Sequence, residues 1–254
     1  MPSVLVAFSG GVDSTFLARV AADVLPHKKV LAVTMVSAFL PSAEKQEAAR
    51  LAKGIGVRHQ FAKQKLVLAL RHNPPDRCYH CKREVFSGLL RLARQKGFAV
   101  VVDGSNTDDL ADYRPGTRAL KELKIRSPLQ EAGLSKKDIR LLSKRLGLKT
   151  WDKPAMACLG SRFPYGETFT RKKLGMVEKA EGILRSVGLQ QLRVRHHRDL
   201  CRIEVGEKDL PLILTRRKEI VRNIKSLGYI YVTVDIEGYR TGSMNEVMTW
   251  KRKK

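Results

Sequence analysis

The chain has 254 residues, enough for one large domain or two smaller ones, and its 43% hydrophobic content supplies a packed core and excludes a disordered polymer. No apolar run approaches the roughly 20 residues of a membrane span, and Met1-Pro2-Ser3 enters an apolar run without the basic-then-apolar order of a secretory leader, so a soluble cytoplasmic protein is expected. The net charge of +24 favours polyanionic partners such as nucleic acid, nucleotides or an anionic surface, although no aromatic-interleaved basic motif accompanies it.

The first half alternates strand and helix patterns. Residues 3–8 read as a short apolar strand and 13–24 as a helix. A second strand is expected over 29–36, a helix over 42–54 and a brief third strand over 57–61. Residues 81–97 have helical periodicity, and 98–103 form a buried strand running into Gly104-Ser105-Asn106. Ser135 is a cap for a helix reaching about Leu146, with Asp138 in its first turn. Strands that alternate with helices predict an α/β fold, a doubly wound parallel sheet covered on both faces.

The pattern changes after Trp151. Residues 152–166 carry Pro154, Gly160, Pro164 and Gly166 without a period and read as a long loop. Long loops of this kind are often functional. A helix over 170–187, strands over 191–196 and 201–205, a helix over 210–227 and a strand over 229–235 follow, which predicts a small α+β domain. The domain limits expected are 1–150 for the α/β domain, 151–166 for the loop and 167–254 for the α+β domain. The basic tail Trp250–Lys254 is expected to fray.

Ser9-Gly10-Gly11-Val12-Asp13-Ser14 joins the first strand to the first helix. Glycines let backbone amides approach a ligand closely, and the helix N-terminus adds unpaired N–H groups and partial positive charge. Ser9 and Ser14 add hydroxyl donors. A phosphate pocket is therefore expected at the carboxyl end of the first strand, where open parallel sheets bind ligands. The Gly-Lys-Ser/Thr ending of a Walker loop is absent.

Cys78, Cys81, Cys158 and Cys201 are the four cysteines. Arg77-Cys78-Tyr79-His80-Cys81-Lys82 sets two thiols one turn apart at a helix start. A Cys-x-x-Cys pair in a cytosolic protein reads as metal-binding or redox-active. No second such pair exists, which argues against a four-cysteine zinc site. Cys158, in the aperiodic loop near Arg162, is the third candidate, and three cysteines can hold a 4Fe-4S cluster with one iron open. Cys201 alternates with apolar neighbours and reads as core.

The loop at residues 9–14 resembles the pyrophosphate loop (PP-loop) of the adenine nucleotide alpha hydrolase superfamily. The resemblance implies cleavage of ATP between its α and β phosphates, with Asp13 helping to position magnesium. Asp108 and Asp109, after the buried strand, suit either magnesium binding or a helix cap. Lys136 stands where relatives place a lysine on the leaving phosphates; a solvated lysine is the other reading.

Taken together, residues 9–14, 77–82, 103–116, 126–129 and 151–166 make the chain resemble the LarE family over nearly its whole length. This family comprises the ATP-dependent sulfur transferases that build the nickel-pincer cofactor of lactate racemase. The resemblance implies a pyridinium dicarboxylate mononucleotide as substrate. One of its carboxylates is adenylated, pyrophosphate leaves, and sulfur then displaces AMP to give a thiocarboxylate. The sulfur comes either from a sacrificed cysteine or from a cluster. Cys78 and Cys81 beside Cys158 favour the cluster, with Cys158 as a ligand. The resemblance further implies that Ser161 and Arg162 line the site and that Arg193 and Arg195, on one face of a strand, grip the substrate phosphate. Glu181 and Glu204 are weaker matches to acidic metal contacts. Homo-oligomers are implied, a sulfur-supplying partner is left open, and a tRNA-thiolating relative or a non-catalytic nucleotide- or RNA-binding module are the competing readings.

Overall fold

The computed structural model describes residues 1–64, 68–110, 115–154, 157–240 and 242–247. From the motifs above, Asp112, Tyr113, Arg114, Ala155, Met156 and the tail Trp250–Lys254 lie outside the described residues. The chain divides into two compact units, Met1–Leu70 with Pro74–Met156, and Arg71–Asn73 with Ala157–Lys254. No helix among the described residues is long and apolar enough to cross a membrane.

In the first unit β1 (Val4–Ala7), α1 (Val12–Val24), β2 (Val30–Val36), α2 (Ser42–Gly54), β3 (His59–Lys63), α3 (Arg77–Lys96) and β4 (Val100–Val102) alternate. The helices α4 (Pro115–Glu122), α5 (Pro128–Glu131) and α6 (Lys136–Arg145) follow. The four strands pair in parallel in the order β3-β2-β1-β4. Because side chains alternate across a strand, Val4 and Val6 of β1 enter one core with residues of α1, α2 and α6, while Leu5 enters another with Phe86, Leu89 and Ala93 of α3. Both faces of the sheet are thus covered, as the doubly wound α/β reading expects. The order runs outward from β1 in both directions, so β1 and β4 flank a topological switch point, where such sheets open a crevice at their carboxyl edge.

The second unit holds α7 (Arg171–Ser186), β5 (Leu192–His197), β6 (Leu200–Val205), α8 (Leu210–Thr215), α9 (Arg217–Lys225) and β7 (Tyr231–Val234). β5 and β6 form an antiparallel hairpin, and β7 joins β6 in parallel. Val177, Ala180 and Leu184 of α7 are buried, as are Val194 of β5 and Ile203 of β6. Cys201 is buried and free, and burial pushes its thiol up to about 12, consistent with a core role.

Three elements differ from the sequence reading. The helix expected over 210–227 is two helices that meet at Arg216, whose φ −94° and ψ +12° depart from helical geometry. The third strand sits two residues later than expected, because Val57 packs into the core ahead of it. The helix expected from residue 81 starts at Arg77, so both Cys78 and Cys81 lie within its first two turns.

His196 is buried in the second unit, its Nδ1 3.1 Å from the Tyr229 hydroxyl. Burial first, then the positive charge of Lys173, holds its pKa down to about 4 from the ordinary 6.5. The fold therefore favours neutral imidazole. Its contribution is complete above pH 6.5 and is lost as pH falls toward 4. A pH series of thermal unfolding should show a shallower acid limb between these values in His196→Gln than in the wild type. An unchanged limb would count against this assignment.

Candidate functional site

At the carboxyl edge of the first unit's sheet lies a cleft of about 750 Å³. Its floor is the turn from β1 to α1. Gly10 holds φ +72°, a left-handed conformation that suits glycine, and a Cβ there would stand 3.3 Å from the Ala48 Cα on α2. Gly11 is the N-cap of α1, and no side chain caps that helix end. Its first amides are therefore available to an anion. Ser9 and Ser14 brace the turn: the Ser9 amide donates to Ser14 Oγ at 3.2 Å, the two hydroxyls lie 3.0 Å apart, and Ser14 Oγ donates to the Gly11 carbonyl at 3.3 Å.

The loop after β4 closes on this turn. A Cβ on Gly104 would lie 3.0 Å from the Ser14 amide nitrogen and 3.2 Å from Asp13 Cβ, so any side chain there would push that backbone back by a few tenths of an ångström. Asn106 Nδ2 then donates to Asp13 Oδ1 at 3.2 Å. Lys136, the first residue of α6, forms an ion pair with Asp13 Oδ2. Its amide donates to Asp108 Oδ2 at 3.2 Å, and Asp109 Oδ2 accepts from the Asn106 amide at 3.0 Å. Ser135 caps α6 and Asp138 returns the bond, the reciprocal arrangement expected of that sequence. Asp13, Ser14, Asp108, Asp109 and Lys136 thus line one cleft with Ser9, Gly11 and Val12. Gly10 belongs to the same turn but is not among the residues that line the cleft.

Several contributors carried no signal when read one residue at a time. Asp103 is buried in the cleft wall and accepts from Ser105 Oγ and Ser127 Oγ, both at 2.6 Å. This accounts for Ser127 in the Arg126–Leu129 motif, whose Arg126 carbonyl also receives the Asp103 amide at 3.0 Å. Lys153 Nζ donates to the Gly10 carbonyl, and Thr34 Oγ1 donates to the Phe8 carbonyl at 2.7 Å while meeting His59 Nε2 at 2.9 Å. Burial lowers the His59 pKa, which favours the neutral ring. Val33, Met35 and Leu40 give the cleft an apolar side suited to a planar base.

One member of the thiol pair, Cys81, adjoins this cleft. Cys78 is exposed and Cys81 half-buried. Gln64 and Lys82 line the cleft, and Gln64 Nε2 donates to Cys81 Sγ at 3.6 Å. Tyr79, between the two thiols, is fixed by its hydroxyl to Glu122 at 2.7 Å and by Arg118 stacked 3.9 Å from its ring.

Cys158, Ser161, Arg162, Arg193 and Arg195 belong to the second unit. Cys158 is exposed at the N-cap of a short 3-10 turn, Leu159–Arg162. Arg162 is buried and bidentate to Glu181, at 2.8 and 3.1 Å, and its third nitrogen donates to the Ala157 and Cys158 carbonyls at 2.7 and 3.1 Å. Burial works to raise the Glu181 pKa, but the hydrogen bonds and charge of Arg162, with Arg185 and the Val194 amide, outweigh it, and the carboxyl sits below its ordinary range. Arg195 donates to Glu204 at 2.6 Å, to Ser243 Oγ at 2.9 Å and to the Ser161 carbonyl at 3.0 Å. Arg193 is half-buried, its guanidinium 5.2 Å from the Tyr239 ring, and burial, then Arg162, lowers its pKa. The two strand arginines thus differ: Arg195 is committed to a buried ion pair, whereas Arg193 lies beside an aromatic ring. Glu181 and Glu204 each face arginines.

Among the described residues no group of three or more His, Cys, Asp or Glu side chains is gathered to hold a metal ion. The donor chemistry nevertheless suits the groups implied. Asp13, Asp103, Asp108 and Asp109 face three lysines, Lys82, Lys136 and Lys153, across the cleft. Four carboxylates do not complement bare polyphosphate, but oxygen donors of this kind are what magnesium takes. Free thiols, exposed at Cys78 and Cys158 and half-buried at Cys81, suit iron–sulfur ligation.

The NAD synthase family matches residues 1–85 of this chain. Over 248 residues the chain is 40% identical to pyridinium-3,5-bisthiocarboxylic acid mononucleotide synthase of Lactiplantibacillus plantarum, covering 97% of this chain and 90% of the relative. It is 45% identical over 249 residues to an uncharacterized protein of Synechocystis, covering 96% and 92%. An uncharacterized protein of Methanocaldococcus jannaschii is 31% identical over 238 residues, covering 94% and 91%.

The contact at Gly104 yields a direct test. Gly104→Ala should press a methyl group against the Ser14 amide and loosen ATP binding at least tenfold, while the melting temperature moves little. Isothermal titration with ATP reads the first and calorimetry the second. Unchanged ATP affinity would show that the approach of the two loops does not shape the cleft.

Proposed function

The chain belongs to the family of pyridinium-3,5-bisthiocarboxylic acid mononucleotide synthases and is an ATP-dependent enzyme, and from that premise we propose that it replaces carboxylate oxygen by sulfur on pyridinium-3,5-biscarboxylic acid mononucleotide. The product serves the nickel-pincer cofactor of lactate racemase. The observation that supports this most is the hydrogen bond from Gln64, a cleft residue, to Cys81: a thiol borders the cleft built for ATP.

A carboxylate is a poor electrophile, because its leaving group is oxide. In the first step a substrate carboxylate oxygen attacks the α phosphorus, the bond to the β-phosphate oxygen breaks, and pyrophosphate leaves. The uncapped amides of α1 hold the departing phosphates, and Lys136 neutralises their charge. Asp13, with Asp108 and Asp109, would hold the magnesium that accompanies ATP, which would supply charge neutralisation on the phosphates. In the second step a sulfur nucleophile attacks the acyl carbon, and AMP leaves with the former carboxylate oxygen. In the second unit, Arg193 offers a guanidinium to the substrate phosphate, Arg162 donates to the Cys158 carbonyl and the Ser161 hydroxyl, and Arg195 holds the Ser161 carbonyl. Cys78, Cys81 and Cys158 are the thiolates proposed to hold a 4Fe-4S cluster, which when bound supplies the transferable sulfur. Self-association and a partner that renews the sulfur belong to the same proposal.

The protein purified without oxygen should contain iron and sulfide and release pyrophosphate only with the mononucleotide present. Cys78→Ala and Cys81→Ala should each abolish iron binding, and mass spectrometry should find the Cys158 peptide unchanged after turnover. Iron-free protein whose Cys158 peptide loses the mass of hydrogen sulfide would replace the cluster by a sacrificed cysteine. Pyrophosphate release stimulated by tRNA would overturn the substrate assignment.

A further inference from the structure

Lys153 lies in the loop after α6, and neither phosphate chemistry nor the thiols have claimed it. Its ammonium has three donors, and all three are used. They reach the Gly10 carbonyl at 3.2 Å, Glu44 at 3.2 Å and Glu47 at 2.6 Å. The side chain is only 14% exposed, which sets this group apart from a surface ion pair.

The surroundings explain why the lysine is there. Glu44 and Glu47 are one helical turn apart on α2, on the face whose Ala48 and Leu51 pack against Gly10. The tight turn at Gly10 therefore brings two carboxylates beside a loop that must accept polyphosphate. The backbone leading to the lysine is held as well, since Arg140 of α6 donates to the Trp151 carbonyl at 2.7 Å and to the Lys153 carbonyl at 2.9 Å. Lys144 adds a cation over the Trp151 ring at 4.6 Å. One helix thus contributes Lys136 to Asp13 at one end of the phosphate loop and, through Arg140, orients Lys153 toward Gly10 at the other.

We infer that Lys153 is a positioning residue for ATP: it neutralises Glu44 and Glu47 and holds the Gly10 carbonyl, so that the loop presents amides rather than negative charge to the polyphosphate. The inference rests on the nucleotide reading of the cleft. It assigns Lys153, at the cleft wall, to the support of the Gly10 turn and gives it no contact with the reacting atoms.

The test titrates ATP by equilibrium dialysis against the wild type, Lys153→Met, the triple variant Lys153→Met with Glu44→Gln and Glu47→Gln, and the double variant Glu44→Gln/Glu47→Gln. Lys153→Met should raise the Kd for ATP at least tenfold. In pyrophosphate release it should raise KM for ATP far more than it lowers kcat. The triple variant should recover most of the lost affinity, because the offending carboxylates are gone, a rescue that a purely structural lysine would not show. The double variant, which keeps the lysine and does not depend on Lys153→Met folding, should bind ATP more tightly than the wild type. Wild-type affinity in Lys153→Met, no recovery in the triple variant, or equal or weaker binding by the double variant would each overturn the inference. A wild type that does not bind ATP would instead refute the nucleotide reading, and this inference with it.

Discussion

The cleft of the first unit depends on one close approach, the backbone of Gly104 against the start of α1. A parallel sheet directs all its strand ends to one edge, and the order β3-β2-β1-β4 makes β1 and β4 neighbours there. Adjacency alone leaves two loops about a strand spacing apart. Glycine at 104 removes the remaining Cβ, so Asn106 reaches Asp13 and the acidic turn of Asp108 and Asp109 comes to face the phosphate loop. A side chain at 104 would have to displace backbone, since the Ser14 amide is the obstacle.

The two units use charge differently. In the first, Lys136 and Asp13 are partly exposed, with side chains 31% and 22% accessible, and a pair of that kind contributes little stability. Its effect is placement: the pair joins the start of α6 to the first turn of α1 at the cleft. In the second, Arg162–Glu181 and Arg195–Glu204 are almost wholly buried. Removing one partner of such a pair leaves an uncompensated charge and costs about 3–5 kcal/mol. Those pairs fix backbone as well as charge, because Arg162 and Arg195 spend further donors on the carbonyls of Ala157, Cys158 and Ser161. The loop carrying Cys158 has little regular structure, and arginine donors replace a helix or sheet as its support.

The legible parts of this protein were those written in local sequence. The β1–α1 loop, the Ser135 cap and the alternating strands each declare themselves within a few residues, because period, glycine and capping chemistry are local properties. The Cys78–Cys81 pair was legible as a pair, whereas its tie to the cleft through Gln64 was not, since 17 residues separate Gln64 from Cys81. Lys153 was invisible for the same reason: its partners lie 106 to 143 residues away, and a lysine in a chain of 49 basic residues attracts no notice. Arg193 and Arg195 share a strand face, and register sets Arg193 opposite the buried Glu204, yet it is Arg195 that bonds Glu204 by a diagonal reach that alternation does not foresee. The break at Arg216 was missed because apolar residues continue on both sides of it.

Net charge proved a poor guide to the site itself. A chain of +24 suggests a cleft rich in cations, but four aspartates line this one against three lysines. One of those lysines is spent on Glu44 and Glu47 and another on Asp13. The basic excess therefore lies mostly outside the cleft, where it can raise the local concentration of anionic reactants by long-range attraction that salt weakens. Inside, four aspartates against three lysines leave the balance acidic. The two tasks are separable in the sequence: exposed Lys and Arg set how fast an anion arrives, and the few residues around Gly10, Asp13 and Gly104 set whether it is held.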